Sequence, residues 1–96
     1  MLFRSNLYIF LEGEIDQSVA GELRVKLDDY LNSVRVKNVI LNMKELTFMD
    51  STGVGLLIGR YKKISALHKP VYISGASPAA DRVLTLAGIY SIMPKI

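Results

Sequence analysis

The 96-residue chain has no cysteine, a single histidine and no apolar run long enough to cross a bilayer. Without thiols there can be no disulfide framework, thiolate metal site or cysteine nucleophile, and the composition fits a reducing compartment, the cytoplasm being favoured. A spanning helix needs about 18 or more apolar residues in succession, and no stretch approaches that. The N-terminus "MLFRSNLYIF" lacks the charged-then-apolar order of a signal peptide. No linker, repeat or low-complexity segment interrupts the sequence. With half of its residues hydrophobic, the chain can fill a modest core without metals or cross-links. The expectation is one soluble domain over residues 1–96, with no membrane association, no metal and no other cofactor.

The formal net charge of +3 invites a nucleic-acid reading, but the charges are unevenly placed. Residues 1–59 hold six basic and eight acidic side chains, whereas residues 60–96 hold six basic and one acidic. The one local basic cluster, "RYKK" at residues 60–63, is spread by a helix over a solvated face. No groove-reading motif accompanies it, so direct binding of nucleic acid is not expected.

Along the chain, "LFRSNLYIF" reads as two short strands about a Ser5-Asn6 turn, asparagine tolerating the positive φ of tight hairpins. From Gln17 to Val34, Ala20, Leu23, Leu27, Tyr30, Leu31 and Val34 recur at helical spacing and form one apolar stripe. "VKNVILNM" is a β-branched run with polar flanks, fitting an interior strand. Val54, Leu57, Ile58, Tyr61 and Ile64 give a second helix, and "KPVYIS" another strand. "SPAADRVLTLAG" carries serine at the cap, proline at the first helical position and Gly88 just past the end, the usual asymmetry of helix termini. "IYSIMPKI" supplies a last strand. The order β-β-α-β-α-β-α-β implies an α/β fold: a mostly parallel central sheet with an N-terminal hairpin and helices packed on it.

The unusual feature is "FMDSTGVGLLIGRYKKI", which sets Asp50, Ser51, Thr52 and Gly53 at a strand-to-helix junction. The simplest account is capping, in which one of the three oxygen-bearing side chains accepts an orphan N–H. One such residue suffices, so capping alone leaves the other two unexplained. A phosphate cradle is a second account, yet "GVG" lacks the third glycine of a dinucleotide fingerprint and "STGVGLL" lacks the lysine of a P-loop. Nucleophilic catalysis would need a base. The one histidine, His68, lies near the far end of the same helix, on the order of 20 Å away at 1.5 Å per residue. A fourth account makes the serine a substrate: a phosphate on an exposed hydroxyl at a helix start is stabilised by the dipole while presenting about two negative charges to a partner.

Together with "LEGEID" upstream and "SPAADRVLTLAGIY" downstream, "VILNMKELTFMDSTGVGLLIGRYKKI" resembles the STAS domain, specifically the anti-sigma factor antagonists of sporulating Gram-positive bacteria. The resemblance covers nearly the whole chain. It implies a regulatory binding protein with no catalytic activity of its own. Its unphosphorylated form would bind an anti-sigma factor that is also a serine kinase, releasing the sigma factor. Phosphorylation would switch that binding off, and a serine phosphatase would reset it. By position, the resemblance makes Ser51 the phosphoacceptor, Asp50 its neighbour and Asp16 of "GEID" a partner contact. Family members usually begin several residues earlier and carry an additional C-terminal helix that has no counterpart after "MPKI". Thr52 stands where another serine is common, adding a rival hydroxyl. A STAS switch of general stress signalling is the alternative within the family. An alternative of another class is a small nucleotide-binding or hydrolytic protein using the same helix start.

On the second helix, the face opposite the apolar stripe carries Thr52, Gly55, Leu56, Gly59 and Lys63. Glycine costs roughly 1 kcal/mol relative to alanine in a helix interior, so two on one face need a reason. Close packing against the protein's own sheet is one. The preferred one is a flat surface for a partner's backbone, with Leu56 as an apolar contact. Glu12, Glu14 and Asp16 are expected on the same edge as the Ser51 helix start. There Asp16 either caps its helix, pairs with a basic partner residue, or does both.

Overall fold

The computed structural model describes residues 2–3, 6–31, 37–66 and 69–96. Strand β1 (Leu2–Phe3) pairs antiparallel with β2 (Asn6–Ile15), and helix α1 (Gln17–Leu31) leads to β3 (Asn38–Met49). Helix α2 (Ser51–Ser65), strand β4 (Val71–Ser74) and helix α3 (Pro78–Leu86) follow, and a 3-10 turn spans Ile89–Ser91. The sheet order is β1-β2-β3-β4, with β2, β3 and β4 parallel. The α/β architecture with an antiparallel N-terminal strand is the one the alternation of elements implies.

One face of the sheet makes the core. Leu7, Ile9, Leu11 and Ile15 of β2, Val39, Leu41 and Met43 of β3, and Val71 and Ile73 of β4 form a single buried cluster with Leu27, Leu57, Ile64, Ala80 and Leu84 of the helices. Their period of two in the strands is that of a pleated sheet covered on one side. The alternate residues turn the other way. Tyr8, Ile40 and Tyr72 are cross-strand neighbours there, and Phe10 is 57 % exposed beside them.

Strand β3 has 12 residues against the 10 of β2, because the register slips between Phe10 and Glu12 and again between Gly13 and Glu14, each time with the extra residue in β3. These bulges carry β3 well past the "VKNVILNM" run and set Asp50 directly beyond its end.

Four expectations need correction. Asn6 is not a turn residue but the first residue of β2, paired with Phe3, and its side-chain oxygen accepts a hydrogen bond from Asn38 Nδ2 at 2.8 Å. Ser5, the other residue expected in the turn, lies outside the described residues. Helix α1 is described to Leu31, so Val34 also lies outside them, and Tyr30 is 52 % exposed rather than part of the buried stripe. The segment after α3 is not a strand. Gly88, at φ 70°, turns the chain into the 3-10 turn, and only one parallel bridge, Ile73 to Lys95, joins the sheet. Proline at 94 has no N–H for a ladder, and its carbonyl instead accepts from Ile73 N at 2.9 Å. The "RYKK" helix face is not uniformly solvated either: the Arg60 side chain is 13 % exposed and turned to Asp28 of α1.

A three-residue cluster fastens this last segment. Tyr90 Oη donates to Asp81 Oδ1 at 2.5 Å, and Lys95 Nζ lies 2.9 Å from the same oxygen and 4.6 Å from the Tyr90 ring centre. The tyrosine hydroxyl, first, and then Lys95 hold the Asp81 carboxyl below its ordinary value. Burial, reinforced by Asp81, pushes Tyr90 above its ordinary value.

Candidate functional site

Strands β2 and β3 end side by side, Ile15 opposite Met49, and a single residue, Asp16 or Asp50, separates each from the helix that follows. The Asp50 N–H donates to the Ile15 carbonyl at 3.3 Å, so the loop holding Asp16 and the loop holding Asp50 are tied by backbone. Parallel strands followed by helices place both helix N-termini at the carboxyl end of the sheet. This brings Asp16, Asp50, Ser51 and Thr52 into one neighbourhood.

Asp50 caps α2. Its backbone is extended (φ −105°, ψ −172°), its Oδ1 accepts from Gly53 N at 3.1 Å, and its carbonyl accepts from Val54 N at 3.1 Å. Aspartate suits this position because its carboxylate satisfies an orphan donor and its charge opposes the positive end of the dipole. Ser51 and Thr52 then open the helix, both exposed. Capping is thus carried by Asp50 alone. The N–H groups of the first two helical residues have no acceptor within the helix, as at any helix start.

The glycines divide into two kinds. Gly53 is buried, and a Cβ there would lie 2.7 Å from Met49 Cγ and 3.0 Å from Ile15 Cγ2. It lets the first turn of α2 sit against the ends of β2 and β3, a role that its place in the "STG" cluster signals only once the sheet register is known. At Gly55 and Gly59 a Cβ would meet nothing within 4 Å. Packing against the protein's own sheet therefore does not explain them, and they leave an open strip along α2. Leu56 departs from expectation, being half-buried and packed against the core cluster.

Asp16 stands just before α1. Its Oδ1 accepts from Ser18 N at 2.9 Å and from Ser18 Oγ at 2.6 Å, and its carbonyl accepts from Val19 N and Ala20 N at 3.3 and 3.1 Å. The Ser18 hydroxyl, then the Ser18 N–H, hold its carboxyl below the ordinary value. Asp16 is therefore a capping residue, and its second oxygen remains open to solvent or a partner. Glu12 and Glu14 are exposed on β2 near the same end.

Helices α1 and α2 are joined by charge. Asp28 Oδ1 is 3.0 Å from Arg60 Nε, and Asp28 Oδ2 is 3.4 Å from Lys63 Nζ. The Arg60 contact is a close ion pair without the alignment of a hydrogen bond. Lys63, assigned from sequence to the open face of α2, is thus directed toward α1. His68 lies outside the described residues, so the sequence argument against a histidine-activated Ser51 is not tested by geometry. Among the described residues no group of three or more His, Cys, Asp or Glu converges as a metal site, and no helix is long and apolar enough to cross a membrane.

Comparison with known proteins bears on this arrangement. A family model described as STAS domain matches residues 3–96. The chain is 32 % identical over 91 residues to an anti-sigma F factor antagonist of Paenibacillus polymyxa, covering 95 % of this chain and 78 % of that protein. It is 32 % identical over 82 residues to an anti-sigma-B factor antagonist of Staphylococcus aureus, covering 78 % of this chain and 76 % of that one. Among solved structures it is similar to the anti-sigma factor antagonist SpoIIAA in its unphosphorylated form, with a TM-score of 0.82 and 30 % identity over 100 % of this chain and 84 % of that one. The phosphorylated form of Bacillus SpoIIAA matches with a TM-score of 0.73 at the same identity, over 100 % and 86 % of the two chains.

Proposed function

This chain belongs to the STAS domain family, and we propose that it is an anti-sigma factor antagonist switched by phosphorylation of Ser51. In this reading its unphosphorylated form binds an anti-sigma factor that is also a serine kinase, and the bound sigma factor is released. The kinase transfers the γ-phosphoryl group of ATP to Ser51 Oγ. The O–P bond forms as the bond to ADP breaks, and the serine proton passes to a base on the kinase. A serine phosphatase hydrolyses the phosphoserine and restores binding. The chain itself supplies no catalytic group, and its proposed partners place its work in the cytoplasm.

The observation that carries this reading is the exposed hydroxyl of Ser51 at a helix start whose capping is already done by Asp50. Because the cap is on the neighbouring residue, a phosphate on Ser51 need not disturb the fold. The unused N–H groups and the dipole favour the added anion. What changes is the surface: about two negative charges arrive beside Asp50 and Asp16, at the contact proposed for a basic partner. Thr52, Gly55, Leu56 and Gly59 form the rest of that contact, the glycines letting a partner backbone lie close to α2 and the uncovered part of Leu56 adding apolar area.

A general-stress antagonist is the second reading, favoured by the S. aureus relative at the same identity. Binding to purified candidate kinases, each with its own sigma factor bound, tests both. The expected result is ADP- or ATP-dependent complex formation with one kinase and displacement of its sigma factor. Absence of complex with every anti-sigma kinase tried, by wild type and Ser51→Ala alike, would overturn the proposal.

A further inference from the structure

A groove of about 230 Å3 opens between β2 and α1 and is lined by no residue of α2. Its floor is apolar, formed by Leu11, Ile15, Val19 and Leu23, and Glu12, Glu14 and Glu22 stand at its rim. The one cation there, Lys26, is already 3.6 Å from Glu22. Beside the groove runs an unfinished sheet edge. Strand β1 pairs with β2 only through Leu2 to Leu7 and Phe3 to Asn6. Among the described residues no strand covers the same edge of β2 from Phe10 onward. The register of β2 against β3 shifts between Phe10 and Glu12 and again between Gly13 and Glu14, but both extra residues sit in β3, so β2 itself runs on as strand to Ile15, with Gly13 at φ 73°.

We propose that this edge and groove dock an extended segment of a partner protein in which an apolar side chain is flanked by lysine or arginine. An unpaired edge supplies backbone donors and acceptors for strand addition, and the neighbouring groove reads alternate side chains. The groove is smaller than the roughly 300–1,000 Å3 of small-molecule pockets, which suits one or two side chains rather than a nucleotide. Its charge selects the occupant. The carboxylates of Glu12 and Glu14 have no cation partner among the described residues and attract a basic segment. A phosphate-bearing ligand is repelled, and a second copy of this chain meeting edge to edge brings two sets of the same carboxylates together. The surface goes beyond the Ser51 switch and does not depend on it.

The test uses the full chain labelled with 15N and the blocked peptide acetyl-Lys-Val-Lys-Val-Lys-amide. A second peptide of the same sequence is N-methylated on the backbone nitrogens of one edge. The expected result is saturable amide shifts confined to Phe10–Ile15, Val19 and Leu23, at least tenfold weaker binding of the N-methylated peptide, and at least tenfold weaker binding by folded E12K/E14K. Ser51→Asp should leave peptide binding within twofold of wild type, so the groove and the phosphoswitch fail or stand separately. Equal binding of both peptides, or shifts spread over all acidic surfaces, would show charge attraction without docking and overturn the proposal. So would no binding at millimolar peptide, leaving the glutamates as guards against edge-to-edge aggregation. Peptide-independent shifts at these residues that grow with protein concentration would give the edge to a second copy and overturn it equally.

Discussion

The backbone N–H of Asp50 meets the carbonyl of Ile15 at 3.3 Å, and this rung joins the two loops from which α1 and α2 start. Asp16 and Asp50 each follow a strand end and cap a helix, Asp16 through Ser18 and Asp50 through Gly53, so both carboxylates are held at the end of the sheet where α2 starts with Ser51. With the cap carried by Asp50, the exposed Ser51 is left free for the phosphate that the proposed function places on it.

Asp16 is expected to be needed for partner binding beyond its cap. Asparagine accepts the same hydrogen bonds from Ser18 but carries no charge, whereas alanine removes both features. The account predicts that Asp16→Asn keeps wild-type thermal stability and that both variants bind the anti-sigma kinase at least several-fold more weakly. Calorimetric titration beside thermal unfolding checks this. Asparagine binding like wild type would reduce Asp16 to a cap.

Gly53 and Gly55 should respond in opposite ways to the same substitution. Gly53→Ala forces a Cβ to within 2.7 Å of Met49 Cγ, so the α2 start or the Met49 side chain must shift. A cost of about 1–3 kcal/mol is expected, typical of overpacking. Gly55→Ala meets open space and should be neutral or stabilising by up to about 1 kcal/mol. Urea unfolding measures both. A larger side chain, Gly55→Leu, should remain folded and lose kinase binding, which a pull-down at matched concentration reads.

The Asp81, Tyr90 and Lys95 cluster makes the C-terminal segment pH-sensitive at both ends. Asp81 is held below its ordinary value, so its contribution is complete above an unfolded pKa of about 3.9 and is lost as pH falls through the lower native value. Tyr90 is raised, so its contribution is complete below about pH 10 and is lost as pH rises through the higher native value. Urea midpoints at pH 7 and pH 3 should fall less in Asp81→Asn than in wild type. Between pH 9 and pH 11, Tyr90→Phe should flatten the alkaline loss. Parallel slopes in variant and wild type would remove the cluster from the account.

Much of this was legible in the sequence, for reasons that residues make plain. The Ser77-Pro78 start and Gly88 stop of α3 are local signals and stand as read, with Ser77 Oγ accepting from Ala80 N at 3.3 Å and Gly88 left-handed. The Asp50 cap was likewise readable, though not which of three candidates held it. What escaped depends on partners distant in sequence. Gly53 matters because Ile15 lies under it, and Arg60 leaves the solvated face because Asp28 faces it from α1. Leu56 sits on the nominally open side of α2, yet the breadth of the core reaches it. The final segment misled because "IYSIMPKI" has strand-forming residues, whereas the left-handed Gly88 before it and Pro94 within it decide the backbone.

Phosphopeptide mapping tests the central claim most directly. The protein is incubated with ATP and the anti-sigma kinase that the proposed function assigns to it, and the fragment containing residues 50–60 is sequenced by mass spectrometry. The account predicts one phosphate, on Ser51, with none on Thr52 and none on the Ser51→Ala variant, and release of the modified protein from the kinase. A phosphate on Thr52 alone, or a Ser51-phosphorylated protein that stays bound as tightly as the unmodified one, would contradict it.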